Sequence, residues 1–193
     1  MPTPVLSGRR RPRLRVVAIV AAVCLAALAA PLVWRPLGFV IGGPAAASPV
    51  VVGRSPLLDR VAPDFELETL DGGTLRLADY RGRPVIVNFW ASWCVPCRTE
   101  FDLFKQAREA YAREKLEILG IVYDDSADAA RAFAEEEGAT WPLLLDPTKS
   151  AASAYGVIGL PVTFYVDREG VVRTISFGPP PSDVLDEQLA RIL

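Results

Sequence analysis

The run Val85-Ile86-Val87-Asn88-Phe89-Trp90 leads within three residues into Cys94-Val95-Pro96-Cys97. Apolar but for one amide and of strand length, it reads as a central strand buried on both faces. The two thiols then fall at the step from that strand into a helix, whose stripe is Phe101, Phe104, Ala107 and Tyr111. A helix beginning near Cys94 aims unpaired N–H groups and the positive end of its dipole at the first sulfur, favouring thiolate. Cys94 is therefore the candidate nucleophile. Cys97, one turn on and on the same side, can attack a mixed disulfide formed at Cys94 and is the candidate resolving thiol. Pro96 costs little in a first turn, where its missing N–H has no helical partner, and its fixed φ stiffens the turn. Two bland readings compete: buried apolar filler, or half of a zinc site. Zinc takes about four ligands, whereas beyond this pair the chain offers Cys24 in an apolar leader and no histidine.

That leader combines Arg9, Arg10, Arg11, Arg13 and Arg15 with a charge-free segment from Val16 to Trp34. At ~1.5 Å per residue the segment makes a helix of roughly 28 Å, enough for a hydrocarbon core of ~30 Å. We read 1–15 as a basic cytoplasmic segment, 16–34 as a transmembrane signal-anchor, 35–60 as a linker and 61–193 as the folded domain. A cleaved signal peptide is the alternative, with small-residue patterns at Ala27-Leu28-Ala29 and Ala45-Ala46-Ala47. Arg9-Arg10 is a weak twin-arginine match, because Pro12 and Arg13 stand where apolar residues belong. The positive-inside rule keeps the arginines in the cytoplasm and exports everything after Trp34.

Charge divides the same way. No acidic residue precedes Asp59; of the 21 Lys and Arg, six lie at or before Arg35, leaving 15 against 23 Asp and Glu, a net of −8. An acidic domain carries no nucleic-acid footprint. In an oxidising compartment a vicinal dithiol becomes a disulfide unless electrons are resupplied, which implies a donor in or near the membrane.

Along the exported part, Phe65 to Leu67 and Thr74 to Leu77 read as a hairpin about Asp71-Gly72-Gly73. After the 85–90 strand come a helix from Arg98 to Lys115, a strand from Leu116 to Tyr123 and a helix capped at Asp125 or Ser126 and running to Glu137. Leu143 to Leu145 is a short strand and Lys149 to Tyr155 a short helix. Val162 to Val166 and Val171 to Phe177 pair across Asp167-Arg168-Glu169-Gly170, and Ser182 to Leu193 closes as an amphipathic helix. The order implies an α/β fold with a mixed central sheet flanked by helices.

The string Asn88 to Arg98, preceded by Ala62-Pro63-Asp64-Phe65 and followed by Gly159-Leu160-Pro161-Val162-Thr163-Phe164, resembles the TlpA/ResA/DsbE group of membrane-anchored thioredoxin-like proteins. The likeness spans Ala62 to Leu193. It implies a thioredoxin fold with an added N-terminal β-hairpin, and a thiol:disulfide oxidoreductase outside the cytoplasmic membrane. The cofactor is no more than the Cys94–Cys97 disulfide, with no metal. Such proteins reduce exported disulfide substrates, often apocytochromes c, and draw electrons from a transmembrane thiol reductase; a monomer is expected. Pro161 matches the cis-proline beside the sulfurs, with Trp93, Val95, Pro96 and Leu160 in the substrate groove. Glu100 matches the group's acidic residue one turn past Cys97, where a carboxylate can take that thiol's proton; the alternative is a solvated first-turn glutamate. Asn88 stands where thioredoxins proper carry a buried aspartate, so the titrating role must move, and Glu100 is nearest by sequence. Asp102 replaces a nearby proline that kinks this helix in many relatives, and Val162 follows Pro161 where a polar residue is common, which predicts a more apolar groove.

Two other functions share the fold. A peroxiredoxin-like peroxidase would need a Pro-x-x-x-Thr-x-x-Cys pattern, absent before Cys94. A membrane-tethered Cu(I) chaperone would use the two thiolates without histidine and with Met1 as the sole methionine. Since no histidine lies between the cysteines to stabilise a thiolate strongly, the dithiol is expected to act as a reductant.

Overall fold

The computed structural model describes residues 51–52 and 55–193. The basic segment, the apolar span and most of the linker lie outside them. In order, the elements are β1 (Val51–Val52), β2 (Glu66–Thr69), β3 (Thr74–Arg76), a 3-10 turn (Leu77–Tyr80), β4 (Val85–Trp90) and α1 (Val95–Ala110). There follow β5 (Glu117–Val122), α2 (Ala127–Glu137), β6 (Leu143–Leu145), α3 (Ser150–Tyr155), β7 (Val162–Val166), β8 (Val172–Phe177) and α4 (Ser182–Leu189). Among the described residues no helix is long and apolar enough to cross a membrane.

The strands form one mixed sheet ordered β1-β8-β7-β4-β5-β6-β2-β3. β4, β5 and β6 run parallel, while β7 pairs antiparallel with β4, and β2 with both β6 and β3. Every residue of β4 is buried, as a continuous apolar run in a covered sheet requires. Alternation splits the run: Ile86 and Trp90 face a cluster with Cys94, Cys97, Phe101, Phe104 and Phe133, whereas Val85, Val87 and Phe89 face one with Leu119, Ile121, Tyr155 and Phe164. The central crossing is tight. A Cβ on Gly120 of β5 would lie 2.6 Å from Leu143 Cδ2 and 2.9 Å from Trp90 Nε1, so only glycine lets these chains approach.

Helix ends follow local chemistry in part. Ser126 Oγ accepts from the Ala129 N–H, and Gly138, at φ 64°, closes α2 in the left-handed region. α1 stops at Ala110 rather than at Lys115, and α4 at Leu189 rather than at Leu193. Beyond α1 the chain turns through Lys115 at φ 60° before entering β5. Arg168, from the β7–β8 turn, donates to the carbonyls of Glu114, Leu193 and Gly82, which ties the chain beyond α1 and α4 to the turn before β4. Within the 35–60 segment, Val51 and Val52 pair with Phe177 and Ser176 of β8.

Candidate active site

The parallel strands β4, β5 and β6 end on one side of the sheet, where sites of α/β proteins gather. The segments after Trp90 and Val122 meet there. Asp125 Oδ2 accepts from the Ser92 N–H at 2.7 Å, and the Asp124 carbonyl accepts from Trp93 Nε1 at 3.1 Å. β7 begins at the same end, since Val162 registers with Phe89, so Leu160-Pro161 enters beside the end of β4. The Leu160–Pro161 peptide is cis.

Cys94 is the N-cap of α1, with Pro96 in its first turn. A disulfide joins Cys94 to Cys97. Cys94 keeps 4% exposure and Cys97 none, so an incoming sulfur meets Cys94 first. Around them Trp93 is 57% and Val95 80% exposed, large apolar groups left uncovered beside the pair; Pro96 is also exposed. Leu160 is half-buried against the cluster that contains both cysteines.

Beneath the disulfide lies a polar triangle. Glu100 is fully buried on α1, one turn past Cys97. Asn88 Nδ2 donates to Glu100 Oε2 at 3.0 Å and to Thr163 Oγ1 at 2.9 Å, and the Thr163 hydroxyl donates to Glu100 Oε1 at 3.3 Å. Burial pushes the Glu100 carboxyl up to about 8, against the pull of hydrogen bonds from Asn88 and Thr163 that favour the anion. A carboxyl poised near neutrality, one turn from a thiol, can take or return a proton where water does not reach.

Asn88 and Glu100, read separately from the sequence, are thus direct partners. Thr163 was not singled out there. Its signal lay in its place, a hydroxyl two residues after Pro161 in a strand otherwise apolar, but only the Asn88–Thr163 register puts the two side chains together. Val162 corrects an expectation: it is buried in the cluster on the opposite face of the sheet, so it contributes to the core and leaves the groove unchanged. Asp102 pairs with Lys105 at 2.7 Å on a helix that runs unbroken from Val95 to Ala110. Among the described residues no three Cys, Asp or Glu side chains gather as a metal set.

Over 131 residues the chain is 37% identical to the thiol-disulfide oxidoreductase ResA of Geobacillus thermodenitrificans, covering 68% of this chain and 75% of that protein. It is 35% identical over 131 residues to the thioredoxin-like protein YneN of Bacillus subtilis, covering 66% and 76%. A Chlorobium tepidum structure assigned as the thiol:disulfide interchange protein DsbE superposes with a TM-score of 0.64 at 33% identity, over 69% of this chain and 96% of that one. Sheet, disulfide and likeness together define a thiol:disulfide oxidoreductase on a thioredoxin-like fold. Residues 58–175 match the AhpC/TSA family, and the chain belongs to it.

Proposed function

We propose that this protein is a membrane-anchored, extracytoplasmic reductase of disulfides in exported proteins, working through a Cys94/Cys97 dithiol–disulfide cycle. The dithiol cycle in this reading is carried by the fully buried Glu100, held by two donors one helical turn past a fully buried Cys97. In the reduced protein the Cys94 thiolate attacks a substrate disulfide; a Cys94–substrate S–S bond forms and one substrate thiolate leaves. Cys97 then yields its proton to the Glu100 carboxylate, and its sulfur attacks that of Cys94. The Cys94–Cys97 bond forms and the second substrate thiolate leaves. Substrate gains two electrons, the protein loses two, and a membrane dithiol returns them.

Export is supported by the arginine block and the apolar span, and an exported dithiol, which an oxidising compartment would leave spent, needs that membrane donor. The exposed Trp93, Val95 and Pro96, with Leu160, would seat the polypeptide flanking a substrate cysteine, and Pro161 would hold the backbone beside it. Apocytochrome c is the substrate that the resemblance favours.

Cys97→Ser tests the assignment. In native membranes it should accumulate mixed disulfides at Cys94, absent from a Cys94→Ser control and released by reductant. Adducts that form equally in the control would reverse or abolish the roles given to the two thiols.

A further inference from the structure

We propose that Asn88 and Thr163 form a donor cradle that sets the protonation of Glu100, with Thr163 as a positioning residue for the proton step. The proposal rests on the Glu100 role given above and extends it to two residues that never titrate.

The hydrogen count fixes the cradle's direction. An amide nitrogen carries two hydrogens, and the Asn88 nitrogen has two acceptors in reach, Glu100 Oε2 at 3.0 Å and Thr163 Oγ1 at 2.9 Å. Having accepted from Asn88, the Thr163 hydroxyl directs its single proton to Glu100 Oε1 at 3.3 Å. Both carboxylate oxygens therefore receive a donor, and each donor is held by the other. Strand register produces this: Asn88 and Thr163 are directly paired on β4 and β7, and both point to the face on which α1 lies.

The surroundings contain little else that could set the carboxyl. Asn88 faces it from β4, Thr163 and Tyr165 from β7, and Cys97 from its own helix. Tyr165 is buried, bonded to Ser176 and held above its ordinary ionisation, so it stays neutral. No charged side chain among the described residues contributes to Glu100. Desolvation alone would push the carboxyl still further above the neutral range and shrink the share of carboxylate able to accept a proton; two donors offset part of that cost. An aspartate at position 88 could give no hydrogen and would set carboxylate against carboxylate. Asparagine at this site thus does more than vacate a titrating role, because it supplies the donors that keep Glu100 usable.

The test uses the reduced full-length chain in detergent and the aryl disulfide dithiobis(nitrobenzoate). Attack by Cys94 releases one thionitrobenzoate, and resolution by Cys97 releases the second, giving two absorbance phases. The pH midpoint of the second phase reports Glu100. Thr163→Val should move that midpoint up by about one unit, slowing the second phase about tenfold at neutral pH. Thr163→Ser, which keeps the hydroxyl, should restore the wild-type midpoint, and N88D should raise it. If Thr163→Val does not fold, Thr163→Ala gives the same readout. Glu100→Gln should lose the midpoint altogether. Should Glu100→Gln keep a wild-type second phase, the Glu100 role falls and the cradle with it. Should Glu100→Gln lose the midpoint while the Thr163 variants keep that of the wild type, the cradle alone is overturned.

Discussion

Glu100 pays for its proximity to Cys97 with stability that depends on pH. Its carboxyl is raised from an ordinary 4.5 to about 8 in the folded disulfide form. Between those values the folded state holds a proton that the unfolded chain has released, so unfolding becomes easier as pH climbs from about 4.5 to about 8 and levels off above. Glu100→Gln, similar in shape and never charged, removes the slope. In urea titrations of the oxidised protein, Glu100→Gln should match the wild type near pH 4 and exceed it by a few kcal/mol near pH 8. A variant less stable than wild type at the higher pH would show that the carboxylate, and not the acid, is the form the fold favours. At this scale the sequence was informative where spacing runs along one element. Cys94, Cys97 and Glu100 lie three apart on a helix, and i, i+3 geometry alone gathers them. Thr163 is 63 positions from Glu100, and no local pattern announces a partner across the sheet.

Between elements, the loop after β5 steadies the loop after β4. Asp125 takes the Ser92 N–H on one carboxylate oxygen and the Ser126 N–H on the other, while the Asp124 carbonyl holds the indole of the exposed Trp93. The sequence offered Asp125 as a possible cap for α2, yet the cap is Ser126, which frees Asp125 to brace the active-site turn. Asp125→Ala should leave the Ser92 amide without its acceptor, lower stability by ~1–2 kcal/mol and speed hydrogen exchange at Ser92. Unchanged exchange at this amide would mean that β4 alone holds the turn. Strands and helices were legible here from period and caps, because both signals are local. The ends of α1 and α4 were not: the helices stop at Ala110 and Leu189, and the chain beyond them is held at the Glu114 and Leu193 carbonyls by Arg168, a contact made only after the sheet has assembled. The β1–β8 pairing was likewise hidden: nothing about Val51-Val52 distinguishes an edge strand from linker until β8 stands beside it.

For the whole molecule, the proposed membrane anchoring of an acidic dithiol protein needs a physical source. Past Arg35 the chain carries a net of −8, so adsorption to anionic headgroups gains nothing from charge, and interfacial binding needs that attraction or a large apolar face. The nineteen residues from Val16 to Trp34 are the part of the sequence with the length and freedom from charge to hold the chain by burial in hydrocarbon. In the proposed arrangement the five arginines ahead of them would set the orientation. The full-length chain should therefore pellet with membranes and resist carbonate extraction, whereas a chain lacking 16–34 should not. In intact cells treated with reductant, a membrane-impermeant thiol reagent should label Cys94, the less buried of the pair, without prior lysis. Labelling only after lysis would put the dithiol in the cytoplasm and remove the need for a transmembrane electron donor. Recovery of a shortened soluble protein outside the membrane would instead identify 16–34 as a cleaved signal, leaving the dithiol exported but its supply of electrons dependent on diffusion to the membrane.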